Sequence, residues 1–169
     1  MNRILAAWNN ADEAAACDAM MACCGAERWA AGMVALRPVT NATELSEMAD
    51  RLWSTMEEPD WLEAFACHPR IGEREPGDSE KRSAAWSRQE QSGAGSAGEA
   101  VLAELAEGNK KYEERFGFTY IVCATGKSAE EMLRMMKRRL TATREAELRE
   151  AAEEQRQIMH IRLGKWLTE

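Results

Sequence analysis

Helical spacing of apolar residues runs through almost the whole chain and restricts the fold more than any other feature. Apolar residues recur at three- and four-residue intervals over 45–56, and again over 132–140. Residues 118–123 form the one strand-like run, and the sequence offers it no partner strand. We therefore expect an all-α fold of about seven to nine irregularly packed helices, with residues 118–123 either extended or a buried helical turn.

Capping residues predict where several helices begin and end. Asn10 is expected to cap a helix that Gly25 closes, and Asn41 and Ser128 each begin a capping-box pattern. The last helix is expected to run from about Thr143 to Leu167.

The middle of the chain contains a break between helices. A short apolar helix over 61–67 should stop at His68, because Pro69 disfavours helical geometry in the residue before it. A further helix is expected from about Ser79 to Gln91, and the Gly- and Ser-rich run 92–98 is typical of a loop.

Length and charge exclude several classes of protein. The 169 residues fit a single domain spanning 1–169. With 22 Lys and Arg against 29 Asp and Glu, the net charge is −7, which disfavours a nucleic-acid binder. No window approaches the ~20 apolar residues that a membrane span requires. If the ligand is an anion, a local Arg or Lys must overcome the average field.

The cysteines and both termini favour a cytoplasmic protein. Five cysteines are an odd number without the spacing of a disulfide framework, so we expect reduced thiols. The first ten residues contain too few apolar residues for a secretory signal, and the C-terminus lacks a Ser-Lys-Leu peroxisomal signal. The adjacent Cys23 and Cys24 have no second pair, so we expect no metal site.

Three features are candidates for chemistry. His68 ends a helix before a rigid Pro69 loop, a position that suits an acid–base imidazole, although a lone histidine is also commonly structural. Ser87, Glu90 and Gln91 share one helix face, which either is solvated or binds a small polar ligand. A cysteine nucleophile, Cys67 or Cys123 with His68, is the weaker alternative.

The last helix carries an arginine on an apolar stripe. Leu148, Ala151, Gln155, Ile158 and Arg162 follow one another along this face. Arg162 either extends its guanidinium to water or clamps a carboxylate with its planar fork.

Three motifs in order resemble the OHCU (2-oxo-4-hydroxy-4-carboxy-5-ureidoimidazoline) decarboxylase family of urate degradation. They are His68-Pro69-Arg70-Ile71-Gly72, Ser87-Arg88-Gln89-Glu90-Gln91 and the segment from Asn109 to Ala124. The resemblance continues through Arg139-Leu140 to Ile161-Arg162-Leu163 and covers nearly the whole chain.

The resemblance implies an all-α decarboxylase that works without metal or organic cofactor, usually as a homodimer. It implies that His68 is the catalytic histidine and that Arg162 contacts the substrate. We expect the catalytic residues to be His68, Glu90 and Arg162, with Arg70 as a helper at the anionic ligand. The implied substrate-binding positions are Pro69, Ser87, Arg88, Gln89, Glu90, Gln91, Tyr120, Ile121, Val122, Cys123, Ala124 and Arg162. The small-molecule substrate would be OHCU, and the product (S)-allantoin.

The sequence departs from the family at Ala142, where an Asn is usual. Thr141 or Thr143 must then cap the last helix, which affects the placement of Arg162. Two other classes of function stay open: a related ureide-processing enzyme, and a non-enzymatic helical ligand-binding module.

Overall fold

The computed structural model describes residues 1–71, 82–93 and 98–169. Within these ranges the chain forms nine α-helices and no β-strand, as the sequence predicts. The helices are α1 (Arg3–Asn10), α2 (Glu13–Cys23), α3 (Glu27–Ala35), α4 (Ala42–Ser54), α5 (Glu58–Ala66), α6 (Arg82–Glu90), α7 (Glu99–Phe116), α8 (Ala129–Arg139) and α9 (Arg144–Trp166). None of these helices is long and apolar enough to cross a membrane.

The chain divides into two compact units. One unit comprises Met1–Ala64 with Arg156–Glu169, and the other comprises Phe65–Gln155. The divisions fall within α5 and within α9, so each unit receives part of these two helices. That residues 1–169 act as one domain stays a prediction.

Buried tryptophans organise the first unit. The indole N–H of Trp8 donates to the Ala16 carbonyl at 3.0 Å, and that of Trp29 donates to the Ala49 carbonyl at 3.1 Å. The ring of Trp8 also meets that of Trp166 edge to face, with centroids 5.9 Å apart. These contacts tie α1 to α2 and to the end of α9, and α3 to α4.

The helix caps confirm two of the sequence expectations and correct two. Asn41 and Ser128 accept hydrogen bonds from the backbones of Glu44 (2.9 Å) and Glu131 (3.1 Å) as predicted. The expected cap at Asn10 is wrong: Asn10 is the last residue of α1, and Asp12 caps α2 instead. The backbone is extended at Ala11, so α1 has ended before Asp12. The Asp12 carboxylate then accepts a hydrogen bond from the Ala15 backbone N–H in the first turn of α2. Gly25 does not close α2, because the helix ends at Cys23 and Cys24 is its C-cap in extended backbone.

The C-terminal helix has the cap that the Ala142 substitution requires. Thr143 Oγ1 accepts a hydrogen bond from the Ala146 backbone at 3.2 Å. Of the two candidate caps, Thr143 therefore begins α9, which runs from Arg144 to Trp166.

An aromatic cluster packs the core of the second unit. The ring of Tyr112 lies 4.7 Å from Phe116, 5.7 Å from Phe118 and 5.2 Å from Tyr120, between centroids. Gly117 ends α7 with φ of +81°, a conformation that glycine adopts without strain. The chain then passes into residues 118–124, which are neither helix nor strand.

Some sequence expectations fall outside the described residues. These are the start of a helix at Ser79, Gly72 of the first motif, and part of the loop expected over 92–98. The described part of the middle helix, α6, begins at Arg82 and ends at Glu90.

Candidate active site

His68 follows the end of α5, as the sequence predicts. Helix α5 stops at Ala66, and the His68 backbone N–H donates to the Phe65 carbonyl at 3.1 Å. Pro69 follows in non-helical backbone, so the imidazole is presented from a restrained turn.

Two contacts hold the residues after His68 against α7. The guanidinium of Arg70 makes a two-pronged ion pair with Glu113, with N–O distances of 2.7 and 2.8 Å. The buried amide of Asn109 lies 3.4 Å from the Ile71 carbonyl. Arg70 thus meets a carboxylate of the protein itself, and this contact lowers the pKa of Glu113.

The imidazole of His68 is hydrogen-bonded to a buried amide. Its Nε2 lies 2.7 Å from Oε1 of Gln155, and the Gln155 side chain is fully buried. An amide oxygen accepts but does not donate, so this contact requires a hydrogen on Nε2.

The three residues of the predicted polar face lie on the less exposed side of α6 and its C-terminal end. Ser87 and Glu90 are buried and Gln91 is half-buried. Arg88 and Gln89 are exposed, since positions 87, 90 and 91 share one helix face while 88 and 89 lie on others.

The predicted binding segment, Tyr120 to Ala124, is buried throughout. Tyr120 Oη donates to the Met132 carbonyl at 3.1 Å, and burial raises the pKa of this phenol. The Ile121 carbonyl accepts from Arg139 Nη1 at 2.6 Å. Helix α8 therefore holds this segment through the backbone carbonyl of Met132 and the side chain of Arg139.

A buried ion pair contacts the segment Tyr120–Ala124 through Arg139. Arg139 and Glu147 are both fully buried, and Arg139 Nε donates to Glu147 Oε1 at 2.6 Å. Tyr112 donates a short hydrogen bond to the same carboxylate oxygen. The Arg139 guanidinium also lies 4.7 Å from the ring centroid of Tyr120.

The backbone of Cys123 is held at both of its polar groups. Glu154 accepts from its N–H, and Lys127 Nζ donates to its carbonyl at 2.7 Å. Burial raises the pKa of Glu154, against the opposing positive charges of Arg139 and Lys127. Burial also raises the pKa of the Cys123 thiol, and Glu154 and Glu90 add to that effect. A protonated thiol is a poor nucleophile, which weighs against Cys123 in that role.

Arg162 lies in the first unit and is buried, at 4% exposure. Its Nη1 lies 3.3 Å from the Ala22 carbonyl. The burial excludes the alternative in which the guanidinium extends to water.

The second histidine belongs to another polar cluster, in the first unit. His160 Nε2 lies 2.6 Å from Asp50 Oδ1, and His160 Nδ1 lies 3.1 Å from Ser46 Oγ. Arg156 also pairs with Asp50 at 3.0 Å. The cluster links α4 to the C-terminal part of α9.

The described part of the chain contains neither a disulfide bond nor a cluster of metal ligands. All five cysteines are free thiols, and Cys67 is exposed. Among the described residues, no group of three or more His, Cys, Asp or Glu side chains could hold a metal ion.

The sequence reasoning assigned no role to Gln155, Glu154, Arg139 or Glu147. A signal existed for Gln155, because an amide interrupts the apolar stripe of α9. The other three depend on pairings between different secondary-structure elements, for which helical spacing gives no signal.

Comparisons with known proteins agree on one family. The sequence model described as OHCU decarboxylase matches residues 9–164. The uric acid degradation bifunctional protein TTL of Arabidopsis thaliana is 36% identical over 149 residues, covering 88% of this chain and 46% of that protein. The 2-oxo-4-hydroxy-4-carboxy-5-ureidoimidazoline decarboxylase of Amia calva is 32% identical over 133 residues, covering 75% and 73%. The chain spans about half the length, or less, of the bifunctional relatives it matches.

Solved structures give the same result. A crystal structure of OHCU decarboxylase in the presence of (S)-allantoin superposes with a TM-score of 0.77 at 34% identity, covering 90% of this chain and 99% of that one. A crystal structure of (S)-allantoin synthase shares the fold, with a TM-score of 0.70 at 15% identity, and covers 96% and 53%.

Proposed function

The chain belongs to the OHCU decarboxylase family, and on this premise we propose that it decarboxylates OHCU to (S)-allantoin in urate degradation, without metal or organic cofactor. The observation that carries the proposal is the family match over residues 9–164, which includes every site residue named above. The likeness to a decarboxylase structure obtained with (S)-allantoin supports the product.

The substrate itself supplies the electron sink that this chemistry requires. The bond from the ring carbon to the carboxylate breaks, CO2 leaves, and the electron pair passes into the adjacent C=N group. The ring nitrogen that receives the pair is protonated, which gives an enol-like intermediate. This intermediate takes one proton on the ureido-bearing carbon, and its hydroxyl gives up a proton as the hydroxyl-bearing carbon becomes a carbonyl. The protein therefore has to hold the ring, stabilise developing charge and deliver a proton to one face.

His68 is the acid–base group in this proposal. Its restrained turn and its hydrogen bond to buried Gln155 fix the ring in one orientation, as a stereospecific proton transfer requires. Protonation from a fixed imidazole on one face would give (S)-allantoin rather than a racemate.

Glu90, Ser87 and Gln91 are proposed to orient the ring. Glu90 and Ser87 are buried on one face of α6, where a carboxylate accepts and a hydroxyl both accepts and donates. Glu90→Gln separates charge from hydrogen bonding: we expect kcat to fall, and an unchanged kcat would show that the charge is unnecessary. The exposed Arg88 and Gln89 are more peripheral candidates.

The segment Tyr120–Ala124 is proposed to bind the ureido arm through its backbone. The contacts of Arg139, Glu154 and Lys127 fix this backbone before the ligand arrives. A preformed backbone loses little conformational entropy on binding. Side-chain identity at these positions should therefore matter less than backbone geometry.

Arg162 is proposed to bind an anionic or carbonyl oxygen of the substrate through its planar guanidinium. A firm grip on the leaving carboxylate would stabilise the ground state and slow the reaction, so the carboxylate should lie in less favourable surroundings, near Glu90. Arg162→Lys keeps the charge and loses the fork. Equal kcat and KM in this variant would contradict a two-pronged contact.

We also propose that the protein acts in the cytoplasm as a homodimer, on the family resemblance. Light scattering coupled to size-exclusion chromatography tests the assembly, with the mass of two chains expected and that of one chain as the contrary result.

The function is tested on freshly generated OHCU, which also decays without enzyme. We expect the protein to raise the rate of OHCU loss and to give optically active allantoin, followed by circular dichroism. Racemic product at the uncatalysed rate would favour the non-enzymatic binding module. Conversion of a different ureide with OHCU untouched would favour the related ureide-processing enzyme.

A further inference from the structure

A single amide on α9 faces the imidazole of His68. Gln155 is fully buried, and its Oε1 lies 2.7 Å from His68 Nε2. The neighbouring stripe positions on the same helix, Ala151 and Ile158, are apolar. The amide is thus a polar group whose nearest neighbours along this row are apolar.

This contact determines which nitrogen of His68 works in the reaction. Since Oε1 has lone pairs and no hydrogen, Nε2 must carry a hydrogen in both the neutral and the charged imidazole. In the neutral ring the lone pair then belongs to Nδ1, so Nδ1 is the nitrogen that gains and loses a proton.

Stability alone does not account for Gln155. Its Nε2 is buried and, among the residues that the structure describes, has no hydrogen-bond acceptor. Buried polar atoms are normally paired, and each exception calls for an explanation. A leucine of similar size would fill the same place without an unsatisfied donor.

We propose that Gln155 is a positioning residue for His68: its amide oxygen holds the Nε2 hydrogen, so that Nδ1 exchanges the proton of the reaction. The role of Gln155 in the reaction rests on the proposed function, whereas the tautomer of His68 follows from the hydrogen bond alone. The preceding residue, Glu154, holds the Cys123 backbone, so two consecutive residues of α9 organise two segments of the site.

The tautomer can be measured directly by nitrogen-15 NMR of the imidazoles at a pH where they are neutral. The chain has two histidines, so His160→Gln assigns the spectrum by removing one ring. We expect His68 to carry its hydrogen on Nε2 in the wild type, and to lose this preference in Gln155→Leu. A wild-type His68 with its hydrogen on Nδ1 would overturn the proposal.

Kinetics test the positioning role. In Gln155→Leu we expect kcat on OHCU to fall at least about tenfold, yet less than the ~10²–10⁴ of a lost acid–base group, with KM nearly unchanged. Gln155→Glu restores an acceptor and should recover activity, with the pH–rate profile moved to higher pH because a carboxylate favours the imidazolium. Gln157→Leu, an exposed glutamine on the same helix, is the matched control.

A structural role predicts a different pattern. The melting temperature of Gln155→Leu should equal or exceed that of the wild type if the amide serves catalysis, whereas a structural amide would lower it. A folded Gln155→Leu with wild-type kcat would overturn the positioning role. An inactive wild type would refute the proposed function instead, and NMR would still decide the tautomer.

Discussion

Replacing Arg139 by methionine should destabilise the protein strongly, because it leaves a buried carboxylate without its cation. Arg139 and Glu147 are both fully buried and joined at 2.6 Å. Methionine keeps most of the side-chain length, so the change removes charge and hydrogen bonds rather than volume. It also removes the donor to the Ile121 carbonyl.

The size of the effect follows from the burial. Breaking a buried pair from one side costs about 3–5 kcal/mol of unfolding free energy. At roughly 2.1 cal/mol/K per residue, unfolding 169 residues has an entropy of about 0.35 kcal/mol/K at the midpoint. Arg139→Met should therefore lower the melting temperature by about 8–14 °C.

The matched control is Arg149→Met on the surface of α9. Arg149 pairs with Glu145 one turn earlier, with side chains 72% and 77% exposed. Water screens this pair, so the variant should change stability by at most about 0.5 kcal/mol. Both variants are measured by thermal unfolding followed by circular dichroism.

Two outcomes would refute the reasoning. Arg139→Met melting within about 2 °C of Arg149→Met would mean that the buried charge costs little to leave unpaired. The double variant Arg139→Met with Glu147→Leu should regain much of the lost stability, because no buried charge is then left alone. Strict additivity of the two single changes would show that the pair does not act as a unit.

Four further predictions concern glycines and carboxylates. Gly108→Ala should destabilise the protein, since the added Cβ would overlap the Sδ atom of the fully buried Met136. Overpacking by about 1–3 kcal/mol exceeds a helix gain of about 1 kcal/mol. Gly164→Ala, with open space around it, should stabilise by about that gain in urea titration. The ion pair with Arg70 lowers the pKa of Glu113, so it stabilises the fold above the ordinary pKa of 4.5, and this stability is lost as pH falls through the folded pKa. In Glu113→Gln the unfolding free energy should therefore depend less on pH in this acid range. Burial raises the pKa of Glu154, so the unfolding free energy should fall as pH rises from 4.5 through the folded pKa. Glu154→Gln should remove this decrease.

Local features of the fold were predictable because their causes lie within a few residues. Asn41 and Ser128 each accept a hydrogen bond from the backbone N–H three residues later. Both partners lie within a four-residue pattern that is visible in the sequence. Asn10 does not cap α2 because it is still part of α1. The chain leaves helical geometry only at Ala11, so Asp12 is the first residue that can cap the next helix.

The burial of the candidate site residues was predictable where helix geometry determines it. The buried face of α6 follows from the spacing of Ser87 and Glu90, and the same spacing explains why Arg88 is exposed. The partners of Arg139 and His68 lie 8 and 87 residues away, on other parts of the fold, and only tertiary structure brings them together.

The proposal that this chain makes (S)-allantoin with His68 as its acid–base group has one most direct test. Fresh OHCU is converted by the wild type and by His68→Asn, and both the rate of loss and the circular dichroism of the allantoin are followed. We expect the wild type to give (S)-allantoin above the spontaneous rate. We expect His68→Asn to remain folded, lose about 10²–10⁴ in rate and give racemic product. A folded His68→Asn that retains more than a tenth of the rate, or still gives (S)-allantoin, would contradict the account.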